Sequence, residues 1–173
     1  MLIDCIVLWI GVRLGAMNGQ NRYWVLLAPL VFAAHVAEEA PGYVRWFNGV
    51  AWPPIPESGF LEAQITPLAA AAVLAAGAAW IPGRWSLVIL LSWATHFFFA
   101  NAIFHIATSA ATRSFSPGLV TGTVFYLPFY WWLLGEGRRR AVPAWTEVLV
   151  IFLAGLPAYL QTWIVASAGR RFY

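Results

Sequence analysis

Lysine is absent from the 173-residue chain, cysteine occurs once, and only 10% of the residues carry charge. Each shortage excludes something. A lone Cys5 leaves no intrachain disulfide and no cysteine-based metal cluster. A soluble domain carries about 25% charged residues, so this chain is poorly matched to water on all sides. Its cations are all arginine, and the net charge of +3 is spread along apolar sequence. Such a distribution carries topology information and is not a nucleic-acid footprint.

What is abundant is apolar. Hydrophobic residues make up 61% of the chain, and 11 Trp, 6 Tyr and 12 Phe can furnish both core and interfacial belts. They fall in blocks near the bilayer-spanning length of roughly 20 residues. The expected fold is all-α, a polytopic membrane helix bundle with five spans at 23–40, 60–81, 85–108, 118–135 and 144–167. Proline and glycine punctuate between them, in "PGY", "PPIPESG", "IPGRW", "SPG" and "GEGRRRAVP". Pro29, Pro67, Pro128 and Pro157 lie within spans, where neighbouring helices can re-satisfy freed carbonyls. "AAAAVLAAGAA" suits close helix packing in lipid. Residues 23–173 are read as one transmembrane helical bundle and 1–22 as an N-terminal membrane-associated helix. For the apolar stretch 1–16, interrupted by Asp4 and Arg13, a sixth span, an interfacial helix and a start at Met17 all stay open. No basic region precedes it, unlike a cleaved signal peptide.

Arginine placement orients the bundle. With five spans, Arg13, Arg22, Arg84, Arg138, Arg139 and Arg140 fall on one side, and Arg45, Arg113, Arg170 and Arg171 on the other. The excess and the tight "RRR" put the loop before the last span in the cytoplasm, in the cell membrane. Glu147 is most simply paired with that triplet.

The scarce polar residues are not scattered. A helix turns by about 100° per residue, so His35, Glu38 and Glu39 in "HVAEE" share a face. Asn101 and His105 in "NAIFH" share a face of the third span. His96 lies on the opposite side of a straight helix, about 13 Å from His105, and reads first as a packing histidine, with a kink or a bound water as its route into the site. The first and third spans run parallel, so both polar groups approach one membrane face. Arg113 and Glu62 approach it too. Arg113 suits an anionic headgroup or a carboxylate, or serves as an interfacial anchor. An ionised carboxylate at mid-bilayer costs on the order of 3 kcal/mol, and such expense usually marks function. Two chemistries suit the group. A divalent metal, zinc or iron, accepts imidazole and carboxylate ligands. Here His35, His105 and one of Glu38 or Glu39 would be the ligands, with Glu39 in the preferred set and the other carboxylate as base. Alternatively, unlike carboxylates and a histidine act as general acid and base without metal.

These residues resemble the HXXEE-domain integral membrane proteins. "HVAEE" resembles the defining motif, "NAIFH" the second motif NxxxH, and "RSFSPG" the RxxxPG pattern downstream, in the family's order over residues 35–118. The resemblance implies a small integral membrane protein with candidate catalytic residues His35, Glu38, Glu39, Asn101, His105 and Arg113, together with Pro117 and Gly118. It implies no particular reaction. The expectation is an intramembrane enzyme acting on a lipophilic substrate from the bilayer, by hydrolysis, isomerisation or cyclisation. A proton-coupled transporter and a non-catalytic assembly subunit are the alternatives, and no inverted repeat favours the former.

Overall fold

The computed structural model describes residues 19–50, 54–81 and 83–139. The expected helix at 144–167, Glu147 and the segment before residue 19 lie outside them. The described residues form five helices with no strand among them. The first, α1 (19–39), opens as a 3-10 helix over Gly19–Leu27 and becomes an α-helix over Ala28–Glu39. The change falls where Pro29 occupies the first α-helical turn, a position that tolerates its missing N–H. Pro41 stops the helix, and the Gly42 N–H returns to the Glu39 carbonyl at 3.0 Å.

A short helix follows that was expected to be a connection. Tyr43–Val50, α2, runs at 66° to α1. "YVRWFNGV" buries Val44 and exposes Arg45, Asn48 and Gly49, which suits a helix lying across the end of the bundle. Next come α3 (Phe60–Trp80), α4 (Arg84–Thr112) and α5 (119–139).

Two helices outrun their expected ends. Thr108 and Thr112 bond back to the Phe104 and Thr108 carbonyls at 2.7 Å each, so α4 absorbs the polar "ATSAAT" beyond residue 108. The last turn of α5 carries Arg139, which donates to Glu136 at 2.9 and 2.7 Å and favours continuation past Gly135. Each of these helices also contains a widened π turn, at Thr95–Ala100 and Gly122–Tyr126. The second comes just before Pro128, whose missing N–H frees a carbonyl in the preceding turn. The two widened turns pack together, with Phe98 and Tyr126 rings 4.5 Å apart.

Packing follows the small-residue seam. Ala75, Ala78 and Ala79 of α3 are buried in one cluster with Val25, Ala28 and Phe32 of α1. Leu87, Leu90, Leu91 and Phe98 of α4 meet Tyr126, Tyr130 and Leu133 of α5 in the same core. The outside is apolar as well: Leu30, Leu61, Ile65, Val73, Trp80 and Ile89 are exposed. Helices α3 and α4 are long and apolar enough to cross a membrane, and α1 with α2 counts as a third candidate if the bent pair is one span.

Candidate metal centre

His35 lies one turn before the end of α1, and Glu39 is the last residue of that helix. His105 lies in the second half of α4, one turn after Asn101. The start of α5 packs against both and ties the two polar strips together. All three side chains are buried, with exposures of 2% for His35, 5% for Glu39 and 0% for His105. One carboxylate oxygen, Glu39 Oε1, lies 3.5 Å from His35 Nε2 and 3.2 Å from His105 Nε2. One ligand atom from each residue falls within 4.8 Å of the other two. Both Nε2 atoms are shielded from solvent without a directed hydrogen bond. Donors bonded at about 2.1 Å to one tetrahedral zinc lie about 3.4 Å from each other. The two spacings to Glu39, 3.5 and 3.2 Å, match that requirement, and the three ligand atoms together lie within 4.8 Å of one another. This group can hold a metal ion.

Outer contacts aim the rings. His35 Nδ1 meets the Thr121 hydroxyl at 2.8 Å, and His105 Nδ1 meets the Ser116 hydroxyl at 2.8 Å. Each imidazole is thus held by its far nitrogen and turns Nε2 inward, the arrangement a metal-ligating histidine needs. Glu38 does not join the cluster. Its Oε2 accepts from the Thr121 N–H at 2.7 Å and hydroxyl at 2.6 Å, and its Oε1 from the Val120 N–H at 3.2 Å. It therefore caps the start of α5 from another helix, where the Gly118 N-cap has no side chain to offer.

Gly118 explains why the turn is built as "SPG". Its φ is +98°, and a Cβ there would lie 2.7 Å from His105 Cε1, 2.8 Å from His105 Nε2 and 2.8 Å from His35 Cε1. Only glycine adopts that backbone at no steric cost and lets the chain pass this close to both rings. The chain reaches the turn through Arg113, left-handed at φ +52°, which ends α4. The Ser116 N–H then bonds the Ser109 hydroxyl at 3.0 Å, fixing its own side chain against His105. Tyr126 stacks on His35 at 4.2 Å between centroids and closes the core side.

Of the residues singled out from sequence, His35, Glu39 and His105 converge, while Glu38 adjoins through Thr121. Asn101 is half-buried on the same helix, with its side-chain oxygen shielded from solvent. Arg113 is exposed and takes part through its backbone conformation. Pro117 lies at the turn, with its Cγ 3.8 Å from where a Gly42 Cβ would stand. Glu62 is exposed in the first turn of α3 and lines a separate cleft with Arg45 and Glu57. His96 packs edge-on to Phe97 at 4.9 Å, outside the three-residue group. Sequence reasoning did not find Ser116, Thr121 or Tyr126. The hydroxyls flanking "PG" in "SPGLVT" were a faint signal, since a buried ligating imidazole needs an acceptor or donor at its second nitrogen.

The family described as "Protein of unknown function with HXXEE motif" matches residues 26–133. The chain belongs to the HXXEE family. The match runs from within α1 through most of α5, and so takes in every residue of the cluster and its supporting turn. No curated protein and no solved structure matches.

Proposed function

We propose that this HXXEE protein is a membrane-embedded enzyme that holds a divalent cation, zinc or iron, on His35, Glu39 and His105. The gathering of three buried donor atoms within 4.8 Å of one another carries the reading. Two imidazoles and a carboxylate are the donor set such ions accept. The ion would supply Lewis acidity at a buried site. The chain's own residues supply the rest: Ser116 and Thr121 aim the rings, and Tyr126 excludes water from the core side.

The substrate is lipophilic, drawn from the bilayer into the helix bundle. Two observations support that placement. Large apolar side chains point outward along α3, and two helices are long enough to span. The polytopic bundle lies in the cell membrane with the Arg138–Arg140 side cytoplasmic, as arginine placement favours. The reaction class is hydrolysis, isomerisation or cyclisation.

Metal content of detergent-purified protein, in wild type, His35→Ala and His105→Ala, tests the proposal. One zinc or iron per chain, lost in both variants, is the expected result. Wild-type protein that takes up no stoichiometric metal after incubation with either ion overturns it. The second reading, metal-free acid–base chemistry, draws on Glu39 Oε1 lying within 3.5 Å of both imidazoles, a carboxylate placed to share a proton with either. It predicts activity that survives exhaustive chelation.

A further inference from the structure

The doubled carboxylate of "HVAEE" suggests two equivalent acids, yet the two glutamates face different partners. We propose that Glu38 is a positioning residue: acting through Thr121, it dictates which nitrogen of His35 carries the proton. His35 then offers a lone pair, not an N–H, to the point where Glu39 and His105 converge. The benefit to metal binding rests on the function proposed above, while the proton at Nδ1 follows from the hydrogen bonds of Thr121.

A threonine hydroxyl has one proton to give. Thr121 gives it to Glu38 Oε2 at 2.6 Å. Both Glu38 oxygens also accept backbone N–H groups at the start of α5, a setting that favours the acceptor-only carboxylate. Toward His35, 2.8 Å away, the Thr121 oxygen therefore has only lone pairs left. His35 Nδ1 must be the donor. In the neutral form that a metal ligand takes, the imidazole spends its one N–H at Nδ1 and keeps a lone pair at Nε2, the atom 3.5 Å from Glu39 Oε1.

The neighbouring histidine supplies an internal contrast. Among the described residues, the Ser116 hydroxyl that meets His105 has no carboxylate behind it, only the Pro117 carbonyl at 3.5 Å. Its proton is free to point either way, so the constraint from Glu38 reaches His35 alone. Glu38→Leu keeps the bulk but removes the acceptor. The Thr121 hydroxyl proton, with no carboxylate to take it, is then free to turn toward His35 Nδ1. The imidazole proton moves to Nε2, where Glu39 Oε1 lies 3.5 Å away.

Nitrogen NMR of histidine-labelled full-length protein in detergent, stripped of metal by chelation, reads this directly. Wild type is expected to show His35 protonated at Nδ1. In Glu38→Leu and Thr121→Val the His35 signals move toward the Nε2-protonated form, while Thr121→Ser retains the wild-type pattern. Zinc titration of the same samples is expected to show about 10–100-fold weaker binding for E38L, with T121S close to wild type. Wild-type His35 protonated at Nε2, or an E38L spectrum with the His35 proton unmoved, overturns the proposal. A lower melting temperature with the proton unmoved makes Glu38 a structural cap and overturns it equally. If wild type binds no zinc, the metal reading falls, and the NMR result still decides the role of Glu38.

Discussion

Gly118→Ala adds one methyl group to the surface of the chain that faces the cluster. That carbon would lie 2.7 Å from His105 Cε1 and 2.8 Å from His35 Cε1, whereas unstrained carbon contacts are about 3.5–4.0 Å. At least one imidazole must therefore retreat by nearly ~1 Å, against a tolerance of about 0.2 Å for metal–ligand distances. The left-handed backbone at φ +98° adds about 1–2 kcal/mol of strain, and overpacking a filled core adds about 1–3 kcal/mol. The expected destabilisation is about 2–5 kcal/mol, with zinc affinity reduced by at least about 100-fold. Circular-dichroism melting and zinc titration in one detergent measure both effects. Gly49→Ala is the control: no atom lies within 4 Å of its added Cβ, and a helical Gly→Ala change gains about 0.5–1 kcal/mol. A Gly118→Ala protein with wild-type melting and wild-type zinc binding would refute the close approach of this turn to the rings.

Ser116→Ala removes the partner of a fully buried ring nitrogen, which costs about 1–3 kcal/mol. Zinc titration should show binding about 10–100-fold weaker, with His35→Ala as the reference for full loss. Tyr130→Phe breaks the 2.9 Å bond to Thr95, whose hydroxyl keeps the Leu91 carbonyl at 2.8 Å. Stability should fall by about 1 kcal/mol in melting experiments while zinc affinity is unchanged, because the bond lies away from the cluster. Alkaline carbonate washing of membranes from expressing cells should leave the full-length protein in the pellet, and its release into the supernatant would contradict the spanning assignment of α3 and α4.

The pairing of His35 with His105 was legible because helical spacing places each on a polar face and chain direction sets both at the same level. The choice between the two glutamates was not. Residues i+3 and i+4 from His35 both project toward the same side of an isolated helix, and only the arrival of α5 assigns Glu38 to backbone amides and Glu39 to the rings. Helix lengths in α4 and α5 were underestimated for a related reason. Threonines and glycines read as helix ends in isolation, while back-bonding hydroxyls and a local ion pair carry the helix through. Arg113 illustrates the limit of residue-type reasoning: its charge drew attention, but its left-handed backbone turns the chain so that Ser116 returns to His105. The widened turns at Thr95–Ala100 and Gly122–Tyr126, "THFFFA" and "GTVFY", leave no distinctive mark in the sequence, since their mix of threonine, small and aromatic residues also occurs in the regular turns around them.

X-ray absorption at the zinc edge of metal-loaded protein tests the central claim most directly. A first shell containing two imidazole nitrogens and a carboxylate oxygen is predicted for wild type, with no stoichiometric zinc retained by His35→Ala or His105→Ala. A shell of water oxygens alone, or an imidazole count unchanged in both variants, would contradict a metal held jointly by the first and fourth helices.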